Sequence, residues 1–247
     1  MNEAKALYLD LMKKCLTNTI YRDHGYVKRQ ISQFDSDVRQ EGKDWPTVAH
    51  TMIGRKRLDN LQSCVEDVLR QGVPGDLIET GVWRGGATIL MRAILKVYDA
   101  ADRYVWVADS FAGLPEPNEE KYPADAKDRH HTYKQLAISL EEVKSNFRVY
   151  GLLDEQVRFL KGWFKDTLPT AEIEQLAVIR LDGDMYESTM DGLVNLYPKL
   201  AVGGYLIVDD YGAVPACRQA IDDYRQKYNI TEEILPVDWT GVFWQKT

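Results

Sequence analysis

The chain has 247 residues, 45% of them hydrophobic and 28% charged, which suits one α/β domain with an added segment rather than a disordered chain. Its net charge of −7 excludes the basic stripe that a nucleic-acid partner requires. No apolar run nears the ~20 residues of a membrane span, and no signal peptide is expected. Cys15, Cys64 and Cys217 lack metal-ligand spacing and read as packed thiols of a cytoplasmic protein.

In chain order, Leu9, Met12, Leu16 and Ile20 recur at helical spacing and predict an amphipathic helix over residues 1–20. Residues 21–56 are polar and read as irregular. Leu58, Leu61, Val65, Val68 and Leu69 predict a second helix, closed by Gly72 and Pro74. Residues 1–72 therefore read as a helical cap on a main domain over 73–247.

From residue 76 strands and helices alternate. Strands are expected at 76–80, 104–109, 156–161, 176–181 and 205–208, and helices at 87–97, 134–150 and from Tyr186 and Pro215. Gly203-Gly204 reads as a turn into the fifth strand. Residues 231–237 and 241–245 read as a closing antiparallel hairpin. This alternation implies a mostly parallel sheet with helices on both faces and right-handed crossovers.

Two acidic pairs carry the chemistry. Asp182-Gly183-Asp184 and Asp209-Asp210 each follow a run that reads as a buried strand. In an open α/β sheet such strand ends face one crevice, where ligands bind. One like-charge pair at ~4 Å costs about 4 kcal/mol at an effective dielectric near 20. A hard divalent cation with oxygen ligands removes that cost.

At the first strand end stands Glu79-Thr-Gly-Val-Trp-Arg-Gly-Gly, where Gly81 and Gly85 let backbone approach a ligand at a helix N-terminus. Its spacing is not the dinucleotide pattern, which disfavours a nicotinamide dehydrogenase. Glu79 at this turn, with Asp109 ending the next strand, fits S-adenosylmethionine, a ligand with an ammonium, a sulfonium and a ribose.

The stretches Asp76–Ala87, Val107–Pro115, Leu181–Thr189 and Gly203–Tyr211, together with Thr51-Met52-Ile53-Gly54 and the final Gly-Val-Phe-Trp, resemble the macrocin/mycinamicin family of sugar O-methyltransferases from about residue 51 onward. The resemblance implies a Rossmann-like class I methyltransferase fold with a seven-stranded sheet. It implies S-adenosylmethionine as donor, magnesium or another divalent cation, a sugar hydroxyl on a secondary metabolite as acceptor, and association into a dimer or larger homo-oligomer. By the motifs, Thr51, Met52, Ile53, Glu79, Thr80, Gly81 and Trp83 would surround the donor. Asp109 would hold the ribose with Ser110 beside it, and Gly162 and Trp163 would flank the adenine. Asp182, also near the donor, would hold the metal with Asp209 and Asp210.

Asp184 is then the expected base, with helix capping as its structural alternative. His130 and His131, in the long Pro-rich loop 112–133, are further candidates; loops of that length inside a domain are usually lids or disordered, and this one is expected to close over the acceptor. Tyr21, Tyr26 and Trp45 offer rings for an acceptor. Competing readings are a catechol or phenol acceptor, disfavoured because Gly183-Asp184-Met185 supplies no lysine base, and a non-catalytic S-adenosylmethionine-binding module, which has no need of two acidic strand ends.

Overall fold

The computed structural model describes residues 3–28 and 30–247. The chain opens with α1 (Glu3–Leu16), a small antiparallel sheet of β1 (Gly25–Val27), β2 (Gln30–Ser32) and β3 (Trp45–Pro46), and the short α2 (Ser36–Gln40). Then come α3 (Arg55–Gln71), β4 (Asp76–Thr80), α4 (Gly86–Val97), β5 (Val105–Asp109), α5 (Leu140–Val149), β6 (Val157–Lys161) and α6 (Phe164–Thr167). The last elements are β7 (Leu176–Leu181), α7 (Tyr186–Leu196), β8 (Leu200–Val208), α8 (Pro215–Tyr228), β9 (Leu235–Pro236) and β10 (Val242–Gln245). The main sheet has seven strands in the order β6-β5-β4-β7-β8-β10-β9. Its first five are parallel, and β10 and β9 close it antiparallel, as the strand pattern predicts.

One apolar layer joins α1, α3, α4 and α5 to the sheet through residues such as Leu9, Leu61, Ile94 and Phe147. The other joins α7 and α8 through Leu193, Leu196 and Ile221. Leu176 to Leu181 are buried throughout, because β7 lies mid-sheet with helices on both faces. The order changes direction between β4 and β7, so the strand ends there open a crevice.

Four sequence expectations change. The first helix stops at Leu16, and Ile20 lies beyond it, 43% exposed. The "irregular" residues 21–56 contain the three-stranded sheet, whose strands are too short to show a period. The helix expected at 134–150 begins at Leu140, where the Ser139 hydroxyl accepts from the Glu142 backbone N–H and caps it. Gly203-Gly204 lies inside β8, and Gly203 (φ 84°) takes up a register shift between β7 and β8.

Candidate active site

Successive strand ends stand side by side at the crevice. The backbone N–H groups of Gly162, Gly81, Asp182 and Asp209 donate to the carbonyls of Asp109, Ala108, Thr80 and Leu181, respectively, at 2.9 Å. This ladder sets a row of turns, each just past its strand. A cavity of about 390 Å³ lies over them. Gly81 (φ 84°) is required here, because a Cβ would collide with the Asp182 carbonyl oxygen. Trp83, a bulky residue held at φ 49°, lies on the cavity wall with its indole N–H bonded to the Gln135 carbonyl at 2.8 Å.

Asp109 organises the donor-like end. Its carboxylate accepts from the backbone N–H groups of Val82 and Phe111, each at 2.8 Å. Burial raises its pKa above the usual carboxylate value, although these N–H groups oppose that shift. Ser110 binds the Gly113 carbonyl at 2.6 Å and so shapes the start of the long loop.

The acidic cluster forms where β7 meets β8. Carboxylate oxygens of Asp182, Asp209 and Asp210 lie within 4.8 Å of one another. Behind them lie two arginines that the sequence reading missed. Glu79 and Arg180 are register partners across β4 and β7 and face the same side. Arg180, 1% exposed, binds Glu79 at 2.5 Å and Asp182 at 2.6 Å, and also pairs with Asp209. Arg57 from α3 pairs with the other oxygen of Asp209. Arg57 sits among several charges at the start of α3 and carries no distinguishing signal in the sequence, whereas Arg180 is a lone charge inside a buried strand.

Asp210 makes no ion pair among the described residues; its Oδ2 accepts from the Asp184 backbone N–H at 3.3 Å. Burial, then repulsion from Asp184, Asp182 and Asp209, raises its pKa well above the usual value. Burial and Asp209 push Asp182 up to about 7. Burial pushes Asp184 up to about 6, against the pull of His130. Burial also pushes Glu79 up to about 8, and its Oε2 is buried with no hydrogen-bond partner. An unpaired Asp210 among like charges fits a hard divalent cation, whereas Glu79, behind the wall, faces Arg180.

Asp184 does not cap α7. That role falls to Asp125 of the long loop, whose carboxylate accepts from the Tyr186 and Glu187 N–H groups at 2.6 and 3.0 Å. Asp184, held at φ 57°, instead lines the cavity. His130 lines it too, with Nδ1 on the Asp128 carboxylate at 2.7 Å.

Of the residues singled out from sequence, Met52, Gly81, Trp83, Asp109, Ser110, His130, Gly162, Trp163, Asp182, Asp184, Asp209 and Asp210 meet on the cavity wall. Thr51, Ile53, Glu79 and Thr80 lie buried behind it. His131 is off the wall, with its Nδ1 buried and unpartnered. Trp45 is on the wall, whereas Tyr21 is 86% exposed and Tyr26 sits in β1 away from it. Trp239 and Thr240 are wall residues that sequence reasoning missed, since neither belongs to a motif.

Strand order, the glycine turn and the acidic strand ends together define a class I methyltransferase. The family model for "Macrocin-O-methyltransferase (TylF)" matches residues 5–246. The chain belongs to that family and is an O-methyltransferase. It is 58% identical over 250 residues to demethyldecarbamoylnovobiocin O-methyltransferase of Streptomyces niveus, covering 100% of this chain and 95% of the relative. It is also 58% identical over 252 residues to 8-demethyl-8-(2,3-dimethoxy-alpha-L-rhamnosyl)-tetracenomycin-C 4'-O-methyltransferase of Streptomyces olivaceus, covering 99% and 94%. The solved structure of the O-methyltransferase NovP superposes with a TM-score of 0.94 at 59% identity, covering 98% of this chain and 99% of that one.

Proposed function

We propose that this enzyme moves the methyl group of S-adenosylmethionine to a hydroxyl of a sugar already attached to a secondary-metabolite aglycone, with magnesium or a similar divalent cation at Asp182, Asp209 and Asp210. The observation that carries this reading is the convergence of those three acids, within 4.8 Å, on the same cavity as the Gly81 and Asp109 turns. Asp109 and Ser110 suit the donor's ribose, and Gly162 and Trp163 its adenine. A hard cation at the acidic cluster supplies Lewis acidity that lowers a hydroxyl's pKa and fixes its direction.

The chain's own residues do the rest. The hydroxyl oxygen forms a bond to the methyl carbon as the carbon–sulfur bond breaks, and the electron pair goes to sulfur. Asp184 takes the hydroxyl proton; a carboxylate with a pKa of about 6 is ionised at neutral pH yet basic enough to accept it. A second base reading rests on His130, whose Nδ1 is fixed by Asp128 at 2.7 Å.

An attached sugar is favoured over a nucleotide-activated one. The wall's strong cations are Arg57, committed to acids, and Lys165, so no guanidinium on the described wall is left to grip a diphosphate. The tetracenomycin relative's name likewise describes a rhamnosyl group joined to its aglycone. Exposed Leu7 and Leu11, one turn apart on α1, support association through that helix.

Incubation with donor, Mg²⁺ and demethyldecarbamoylnovobiocin or the demethyl tetracenomycin glycoside tests the proposal. One methyl should appear on the sugar, and a chelator should abolish it. Full turnover in chelator, or methylation of the aglycone instead, would refute the reading.

A further inference from the structure

Part of the cavity wall comes from two segments distant in sequence. One is 41–45, which ends in Trp45; the other is 238–240, which carries Trp239. Neither belongs to a regular helix, and nothing in their own sequences fixes their spacing. A single guanidinium bonds to both. Arg57, 5% exposed, donates from Nη2 to the Gly42 carbonyl at 3.2 Å and from Nε to Asp238 Oδ2 at 3.0 Å, while Nη1 pairs with Asp209. Each nitrogen faces a different part of the site.

The contacts around this junction agree. A Cβ on Gly42 would collide with Arg57 Nη2, so the 41–45 segment sits directly on the guanidinium. The buried Asp238 carboxylate uses its other oxygen to accept from the Thr240 and Gly241 N–H groups at 3.0 and 2.8 Å. The Thr240 hydroxyl donates to the Asp209 carbonyl at 2.9 Å. The two segments also touch each other, because the Trp239 indole N–H donates to the Glu41 carbonyl at 2.7 Å.

We propose that Arg57 is a positioning residue that holds the acceptor's two aromatic walls in register with the acidic centre. The inference rests on the reading of this rim as the acceptor's side. A planar fork suits three separate acceptors, and a lysine ammonium on a flexible stem cannot reproduce that geometry. Arg57 touches neither donor nor reacting atoms in this account; it acts through Asp209, Gly42 and Asp238.

Arg57→Lys tests this, because it keeps the positive charge beside Asp209 and removes only the fork. Hydrogen exchange should quicken together in peptides covering 41–46 and 238–241, while the 76–80 strand stays protected. With demethyldecarbamoylnovobiocin as probe, the acceptor KM should rise about tenfold, equivalent to about 1.4 kcal/mol. The dissociation constant of S-adenosylhomocysteine should change less than the acceptor KM, since the donor end meets this junction only indirectly, through Asp209 and Arg180. Trp239→Phe removes the indole N–H together with the five-membered ring, serves if the lysine variant misfolds, and should quicken exchange in both segments in the same way. Unchanged exchange in both segments overturns the proposal, as does faster exchange in one alone or a fall in kcat with KM unaltered. The exchange readout needs no acceptor, so its failure is distinct from failure of the sugar-methylation reading.

Discussion

Asp210→Asn should make the metal-free protein more stable while removing its function. Asp210 is 9% exposed and makes no ion pair among the described residues, and Asp182 and Asp209 hold carboxylate oxygens within 4.8 Å. At that separation and an effective dielectric near 20, one like-charge pair costs about 3.5 kcal/mol. Protonation caps the total, because neutralising a carboxyl of ordinary pKa at pH 8 costs about 5.6 kcal/mol. Arg57 and Arg180 offset part of the repulsion, which leaves roughly 1–3 kcal/mol. Asparagine keeps the volume and still accepts from the Asp184 N–H. For a chain of this length that gain corresponds to an increase in Tm of roughly 3–10 °C.

The sign has a pH signature. A carboxyl whose pKa is raised on folding destabilises the fold above its unfolded pKa, because the unfolded chain ionises first. The advantage of Asp210→Asn should therefore be present at pH 8 and vanish below about pH 4. Thermal unfolding in chelator and in Mg²⁺ measures it. Wild type should gain stability from Mg²⁺, about 2.7 kcal/mol at one hundred times the dissociation constant, and the variant should gain almost none. A variant that melts at or below wild type at pH 8 in chelator refutes the reasoning. An equal Mg²⁺ shift in both proteins refutes it as well.

Arg180→Met should act in the opposite direction, leaving Glu79, Asp182 and Asp209 without their buried counter-ion and costing roughly 3–5 kcal/mol, read as a loss in chemical denaturation; a loss under about 1 kcal/mol would show that the acids are solvated. Turnover should rise tenfold per pH unit until Asp184 ionises and then level off, with the break below the metal-free value of about 6 because a bound cation favours the carboxylate. Asp184→Asn should lower kcat about a hundredfold or more with little change in acceptor affinity, and an unaltered pH profile would move the base to His130.

The parts legible in the sequence are those with a local signature. β4, β5 and β7 announce themselves as buried runs, and each has a residue of recognisable chemistry at or beside its end: Glu79 before Gly81, Asp109, and Asp182 just past Leu181. α8 is marked by Pro215 at its start. The small sheet of β1 to β3 has strands of two or three residues, too few for a period-two pattern. The arginines escaped for a different reason. Arg180 becomes meaningful only when β4 and β7 place Glu79 opposite it, and Arg57 only when α3 packs against the β8 end. Long-range pairing makes those roles, and no window of sequence contains it. Asp125 is similar: the loop holding it gives no helical signal, yet it supplies the cap that frees Asp184.

That freed carboxylate ties the electrostatics to the chemistry. Methyl transfer from a sulfonium removes one positive charge from the donor, while the acceptor is neutral before as a hydroxyl and after as an ether. A cleft holding Asp182, Asp184, Asp209 and Asp210, with no ion pair on Asp210 among the described residues, is poorly suited to losing a positive charge during turnover. Asp184 restores the balance if it takes the hydroxyl proton in the same step, because the positive charge given up at sulfur reappears at its carboxyl group. Charge near the cluster then stays constant along the proposed reaction, so little solvent needs to reorganise. A base outside the acidic cluster would not provide this, since the proton would leave the neighbourhood where the sulfonium charge was lost. His130, beside Asp184 and fixed by Asp128, could serve as the proton's next stop, but the compensation depends on the first acceptor lying among the acids.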